Sequence, residues 1–148
     1  MDVRPARDAA EVEWALELRE RVFCGEQGVD LAAERDGRDG EALHVVALDD
    51  GRLVGTCRLL ADGTVTRLGR MAVAPEARRR GVGLAVLAAA ERCAQRAGAT
   101  QMRLHAQAEV IDLYARAGYV TCGEPFVEEG IDHVGMEKSL DPPEPPRA

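Results

Sequence analysis

The sequence predicts a single α/β domain in which helices pack on a mixed, mostly antiparallel sheet. Three observations support this fold class: an N-terminal helical pattern, a run of strand patterns joined by tight turns, and a long helix between two further strand segments. The chain has 148 residues, of which 46% are hydrophobic and 30% charged. This length and composition are typical of one globular domain with a full hydrophobic core.

The first predicted helix begins with the spacing of a capping box. Asp8 would cap the helix, and Glu11 would reach back to it. The helix should end near residues 24–25 and carries apolar residues at helical spacing: Ala15, Leu18 and Val22. Residues 26–41 are polar, rich in Gly and Asp, and lack periodicity. This pattern predicts a loop in which the charged run 34–39 is solvated.

Three strands then follow as a predicted antiparallel meander over residues 43–48, 53–60 and 64–73. Residues 49–52 read Asp-Asp-Gly-Arg, which is typical of a hairpin turn. Gly69 lies inside the third strand, where a glycine indicates a β-bulge or a close backbone approach.

The second half begins with a long helix over residues 84–97, supported by apolar residues at helical spacing and ended by Gly98. A crossover from strand 64–73 through this helix to a strand at 102–106 implies one parallel strand pair. The remaining elements are expected at 110–117 (helix), 119–122 and 133–138 (strands). Residues 141–148 are rich in proline and are predicted to form a disordered tail after a domain that spans 1–140.

A basic turn with glycines separates the third strand from the long helix. It consists of Arg78, Arg79 and Arg80, followed by Gly81 and Gly83. Free N–H groups at a helix start bind anions such as a pyrophosphate, and glycines let the ligand approach the main chain. The competing interpretation is a solvated loop. The missing Lys-Ser or Lys-Thr argues against a P-loop, and the missing third glycine argues against a dinucleotide fold.

Charge and hydropathy argue against two kinds of partner, nucleic acids and membranes. The net charge of −7 argues against nucleic acid as the main partner. No apolar run approaches membrane-spanning length, and residues 1–5 lack the apolar core of a signal peptide, so a cytoplasmic location is expected.

Cys57 and Cys93 are expected to be core residues in a reducing compartment, and Cys24 has no activating partner. We expect no metal.

Several segments together resemble the GCN5-related N-acetyltransferase (GNAT) superfamily, and more narrowly its ElaA-like branch. The resemblance covers residues 19–138. Residues 73–83 are similar to the family's acyl-CoA signature, and residues 113–119 to its Tyr-containing helix that runs into Gly-aromatic. The segments that resemble the ElaA-like branch are 21–27, 106–107 and 131–136.

The resemblance implies a sheet in which the two parallel strands splay apart and admit the pantetheine of acetyl-CoA, the co-substrate. The pyrophosphate would lie on the N–H groups of residues 79–84, and one main-chain N–H of residues 71–73 would polarise the thioester. Arg78 or Arg80 would contact the 3′-phosphate or face water. The residues expected to bind acyl-CoA are Met71, Ala72, Val73, Arg78, Arg79, Arg80, Gly81, Val82, Gly83, Leu84 and Gln107.

Tyr114 is the candidate general acid for the departing thiolate. The alternative is a core aromatic whose hydroxyl is satisfied locally. Many relatives place a Glu near position 69 as a base, but this chain has Gly69. The remaining candidates for the base are Glu26, His44 and His133, with the amine arriving neutral through water as another route.

The implied function is a small N-acetyltransferase acting on a primary amine of a small molecule or peptide. The main alternative is an acyl-CoA-binding sensor or regulatory module without turnover, which the missing Glu near position 69 favours and Tyr114 opposes. A structural subunit is the third interpretation. The acceptor, other acyl groups and the oligomeric state, a homodimer included, stay open.

Overall fold

Seven strands and four α-helices make up residues 1–141, the part of the chain that this computed structural model describes. The strands are β1 (Asp2–Pro5), β2 (Leu43–Asp49), β3 (Arg52–Asp62), β4 (Val65–Val73), β5 (Gln101–Gln107), β6 (Val120–Glu128) and β7 (Ile131–Ser139). The α-helices are α1 (Ala9–Arg19), α2 (Leu31–Glu34), α3 (Val82–Arg96) and α4 (Ile111–Arg116). No helix within residues 1–141 is both long enough and apolar enough to cross a bilayer.

The strands form one sheet in the order β1-β2-β3-β4-β5-β7-β6. Every neighbouring pair is antiparallel except β4 and β5, which run parallel. Their pairing covers only Val65–Leu68 against Gln101–Leu104, and beyond these residues the two strands separate. The predicted α/β fold with one splayed parallel pair is confirmed.

Helices cover both faces of the sheet, and β2 is therefore buried on both sides. Val45 and Ala47 belong to the main core, which includes the apolar face of α3. Val46 and Leu48 pack with Ala15 of α1 in a second, smaller core. Strand residues alternate between the two faces, so consecutive residues of β2 contact different helices.

The predicted capping box is half correct. The Asp8 carboxylate accepts a hydrogen bond from the Glu11 N–H at 2.9 Å. The Glu11 carboxylate accepts instead from the N–H of Arg7 at 2.7 Å and pairs with the Arg4 guanidinium. Arg4 lies on β1, a strand that was not predicted and that pairs with the edge of β2. The cation on β1 therefore draws Glu11 away from Asp8.

The predicted loop over residues 26–41 is correct for most of its length but contains one short helix. The chain leaves α1 as a π-helical segment, Glu20–Glu26, and later forms α2. The prediction that the charged run 34–39 is solvated is wrong for Glu34, which is 1% exposed, and correct for residues 36–38, which are exposed. Glu34 belongs to a partly buried ion cluster that joins α1, residues 34–39, β3 and β4, with these members: Arg19, Glu34, Asp36, Asp39, Arg58 and Arg70. Buried charges need partners, and these partners are distant in sequence.

The bulge predicted at Gly69 is present. Thr56 pairs with Ala72 and Arg58 pairs with Gly69, so β4 has one more residue than β3 between these pairs. Arg70 lies in the bulge with φ of 52°, a left-handed conformation that is uncommon outside glycine. The tail prediction concerns residues that lie, from 142 onward, outside the described part of the chain.

Candidate active site

A cleft of about 1800 Å³ opens where β4 and β5 separate; we call it the β4–β5 cleft. Pockets for one small ligand usually have roughly 300–1,000 Å³, so this volume is sufficient for two substrates. One wall contains the start of α3, and the other contains the uncovered face of β5, β6 and β7. The π-helical segment and α2 form its third side.

The start of α3 faces the cleft with unpaired N–H groups. Gly81, the residue before the helix, has φ of 79°, and no side chain among the described residues caps this end. The first N–H groups of an uncapped helix are free to bind an anion. Gly83 is buried, and a Cβ there would lie 3.1 Å from the Leu113 side chain of α4. The glycines thus serve two different purposes: one permits the turn and the other permits close packing.

The three arginines of the basic turn have different surroundings. Arg78 and Arg79 line the β4–β5 cleft, and Arg79 has φ of 63°. Arg80 does not line the cleft, because its guanidinium pairs with the Asp49 carboxylate at 3.0 Å. The expectation that the Arg80 side chain binds the cofactor is therefore a poor fit to the structure. The competing solvated-loop interpretation fits Arg80 best.

The end of β4 offers main-chain groups to the cleft. Residues 71–73 line it, and β4 has β3 as its partner on one side only, because pairing with β5 ends at Leu68. The carbonyl of Val73 accepts a hydrogen bond from Nε of Arg78 at 3.1 Å. The free edge of β4 is suited to pair with an extended ligand that carries amides.

Tyr114 of α4 also lines the cleft, although only 4% of the residue is exposed. Its ring packs edge-on against Tyr119, with 5.9 Å between ring centres. Burial raises the pKa of the Tyr114 phenol, so the hydroxyl stays protonated at neutral pH. A protonated phenol at the cleft can donate a proton or a hydrogen bond to a ligand there.

Two side-chain pairs cross the mouth of the cleft from the π-helical segment and the residue after it. The Glu26 carboxylate pairs with the Arg78 guanidinium at 2.8 Å. The amides of Gln27 and Gln107 exchange two hydrogen bonds, of 3.0 and 3.2 Å. The Arg78 hydrogen bonds lower the pKa of Glu26, which makes this carboxylate a weaker base than an ordinary glutamate.

The three histidines are distributed unevenly. His44 on β2 is buried, with Nε2 at 3.0 Å from the carbonyl of Asp39, and it does not line the cleft. That placement removes His44 from the candidates for the base. His133 does line the cleft, and its Nδ1 donates to the carbonyl of Ile131 at 2.7 Å. His105, which is not among the predicted site residues, also lines the cleft, together with Glu128.

The strand alternation of β5 was the signal that could have identified His105. Met102, Leu104 and Ala106 are buried, so the residues between them share the opposite face.

The cysteines of the described chain are all unpaired. Cys57 and Cys93 are buried as expected, and burial raises the pKa of the Cys24 thiol, which opposes a nucleophilic role.

Comparisons with known proteins agree with this architecture. The sequence pattern of the acetyltransferase (GNAT) domain matches residues 7–140. An uncharacterized N-acetyltransferase of Bacillus subtilis, YjcF, is 32% identical over 134 residues, which are 90% of this chain and 96% of that protein. A solved acyl-CoA N-acyltransferase from Pseudomonas aeruginosa is 31% identical, with a TM-score of 0.83 over 94% of this chain and all of the other.

Escherichia coli ElaA has the same fold. Its crystal structure gives a TM-score of 0.83 at 23% identity, over 93% of this chain and 99% of that one. The resemblance to ElaA is thus confirmed for the fold. Because the domain pattern covers nearly the whole chain and a relative above 30% identity spans it, the protein belongs to the GNAT acetyltransferase family.

Proposed function

We propose that this protein transfers the acetyl group of acetyl-CoA to a primary amine of a small molecule or peptide. The observation that carries the proposal is the uncapped start of α3 in the wall of a cleft between two separating parallel strands. This arrangement suits a ligand with a pyrophosphate at one end and an extended amide chain at the other. The name of the Pseudomonas aeruginosa relative supports an acyl-CoA as the donor.

The binding roles divide between main chain and side chains. The N–H groups of residues 81–84 would hold the pyrophosphate, with Arg79 contributing charge. The free edge of Met71–Val73 would pair with the pantetheine amides, and one N–H there would polarise the thioester carbonyl. Gln107, at the end of β5, would border the pantetheine from the strand opposite β4.

Tyr114 is the proposed general acid. Acetyl-CoA supplies an activated acyl group, and transfer forms a C–N bond while the C–S bond breaks. The phenol donates its proton to the departing sulfur and regains one from the new amide nitrogen through water, so its protonation state is restored. General acid–base catalysis typically contributes about 10²- to 10⁴-fold.

Glu26 is better suited to anchor the acceptor than to take its proton. Its lowered pKa keeps it ionised, and its position at the cleft mouth exposes it to a cationic amine. His133 is 9% exposed in its side chain and has one ring nitrogen committed to Ile131. We therefore propose that His133 supports the acceptor side of the cleft.

Release of CoA thiol tests the function. The purified protein would be incubated with acetyl-CoA and one amine at a time. The amines are spermidine, lysine, kanamycin and a peptide that begins with alanine. Acceptor-dependent thiol release supports acetyl transfer. Tight binding of acetyl-CoA without release for any of these amines would favour the binding module instead. A homodimer remains a prediction, which light scattering during size-exclusion chromatography would test.

A further inference from the structure

Three strands bring two imidazoles and a carboxylate together on the uncovered face of the sheet. His105 of β5 has its Nδ1 at 3.4 Å from Oε2 of Glu128 on β6. His133 of β7 has its Nε2 at 3.9 Å from the same oxygen. Phe126 lies edge-on to His105, with ring centres 4.9 Å apart, and stacks on His133 at 5.8 Å. We call these four residues the acceptor wall; all of them line the β4–β5 cleft.

His105 has the most favourable position within the acceptor wall. The parallel pairing of β4 with β5 ends at Leu104, so His105 is the first residue of β5 beyond it, at the point of divergence. Its side chain is 50% exposed. Gly135 of β7 lies opposite His105 and adds no side chain, which leaves the imidazole open to the cleft.

Glu128 and Phe126 hold the ring of His105 from two directions. Glu128 lies beside Nδ1, whereas Phe126 supports the ring edge-on. A carboxylate next to one ring nitrogen of an imidazole fixes the tautomer and stabilises the imidazolium, as in Ser-His-Asp triads. A carboxylate beside Nδ1 favours the tautomer that carries its proton there, which leaves the lone pair on Nε2. The distance of 3.4 Å is long for a hydrogen bond, and such contacts often tighten when the substrate binds.

We propose that His105 is the general base for the acceptor amine and that Glu128 is its positioning residue. The proposal rests on the acetyl transfer proposed above and deepens it, because it specifies an acceptor that arrives as an ammonium ion. Nε2 of His105 takes one proton from the ammonium group, giving a neutral amine and an imidazolium beside Glu128. The amine lone pair then forms the C–N bond, and the imidazolium releases its proton to water.

The assignment also explains how the chain functions without a carboxylate at position 69. Glu26 is held by Arg78, and His44 lies outside the cleft. His133 is the less accessible of the two cleft histidines, with 9% of its side chain exposed against 50% for His105. The titratable and charged groups that the strand register places on the face of His105 are Glu128, His133, Cys122, Glu137, Arg103 and Arg67.

Turnover of the variants is the first test. With the best amine of the panel, His105→Ala should lower kcat about 10²- to 10⁴-fold, and added imidazole should restore part of it. Glu128→Gln should lower kcat by about 10- to 100-fold, by analogy with the partners that orient metal-bound histidines. Glu128→Asp should recover part of that loss. Because Glu128 acts through His105, the double variant should be no slower than His105→Ala.

Two variants serve as controls for these effects. Asp132→Asn removes a carboxylate from the same hairpin, and Asp132 is exposed and outside the cleft, so its kcat should match wild type. His133→Gln should lower kcat less than His105→Ala does and should show no rescue by imidazole. Rescue of the His133 variant, or additive losses for His105 and Glu128, would overturn the assignment.

Nitrogen-15 NMR of the imidazoles is the second test and needs no acceptor. At mildly alkaline pH, His105 should be the Nδ1–H tautomer in the wild type and change toward Nε2–H in Glu128→Gln. The same tautomer in both proteins would overturn the role of Glu128 even if turnover is robust. If the wild type shows the predicted tautomer but releases no thiol with any amine, the proposed function fails, and the catalytic assignment of His105 fails with it.

Discussion

Glu26 and Arg78 form a two-point ion pair across the mouth of the cleft, with oxygen–nitrogen distances of 2.8 and 2.9 Å. Glu26 ends the π-helical segment, and Arg78 begins the basic turn before α3. The pair therefore connects the side where an amine would enter with the side where a pyrophosphate would bind. Both side chains are about 40% exposed, so a bound ligand can compete for either of them.

Replacing Glu26 with Gln should raise the KM for the amine and change kcat little. An exposed ion pair contributes up to about 1 kcal/mol, which corresponds to roughly a fivefold rise in KM. Because Arg78 lowers the pKa of Glu26, the carboxylate is ionised throughout the neutral range, and the rise should not depend on pH between about 6 and 8. Steady-state kinetics at several pH values measure both parameters.

Glu20→Gln is the matched control, because Glu20 is an exposed carboxylate in the same π-helical segment and does not line the cleft. A lower kcat with an altered pH–rate profile in the Glu26 variant would assign Glu26 as the base. Unchanged amine parameters would make it a surface residue.

The meander β2–β4 and helix α3 are the parts of the fold that the sequence predicts well. Helix α3 has a strong apolar period and begins at a turn whose glycines have local geometric reasons, so its position and its anion site follow from neighbouring residues. The contacts of Arg80 and Glu34 could not be predicted in this way. Arg80 pairs with Asp49, and Glu34 pairs with Arg19 and Arg70, all far away in the sequence. Such pairs depend on how the sheet assembles, not on local pattern.

The same reason explains the incomplete prediction of the site. Tyr114 follows a local motif and lies in the cleft, as expected. The acceptor wall combines residues of β5, β6 and β7, and only the register of these strands brings His105 close to Glu128. The alternation of β5 indicates which face His105 occupies, but no local pattern indicates that Glu128 lies beside it.

Replacing Gly81 with Glu should abolish the binding of acetyl-CoA. A non-glycine residue at φ of 79° is strained, and the added carboxylate would occupy the anion site at the start of α3. At about 100 times its dissociation constant, the ligand should stabilise the wild type by about 2.7 kcal/mol, visible as a rise in Tm. The variant should show no such rise.

Gly63→Glu controls for strain and charge together. Gly63 lies in the turn between β3 and β4 at φ of 62°, equally free of neighbours and outside the cleft. That variant should lose stability yet keep the full thermal shift with acetyl-CoA. Equal shifts in the wild type and the Gly81 variant would place the site elsewhere.

Replacing Tyr114 with Phe should preserve acetyl-CoA binding and lower kcat by about 10²- to 10⁴-fold, because the proton donor is lost while the ring stays packed. Tyr119→Phe is the control, since Tyr119 packs against Tyr114 and its hydroxyl donates to Glu91 at 2.9 Å, outside the cleft. Its kcat should stay near that of the wild type. A normal rate for Tyr114→Phe, with chemistry limiting, would return Tyr114 to a core-aromatic role.

Replacing Asp36 with Asn should destabilise the protein in a pH-dependent manner. Two hydrogen bonds of 2.8 Å from buried Arg58 hold the pKa of Asp36 well below its usual range. A lowered folded-state pKa stabilises the protein above the unfolded value of about 3.9, and this stability is lost as the pH falls through the folded value. Urea unfolding at pH 7 should show the variant about 1–3 kcal/mol less stable than wild type, and the difference should shrink from about pH 4 toward pH 2.

Asp62→Asn, at the exposed end of β3, should change stability little at either pH. A constant difference for Asp36→Asn across this range would mean that packing, rather than the charge beside Arg58, accounts for the loss.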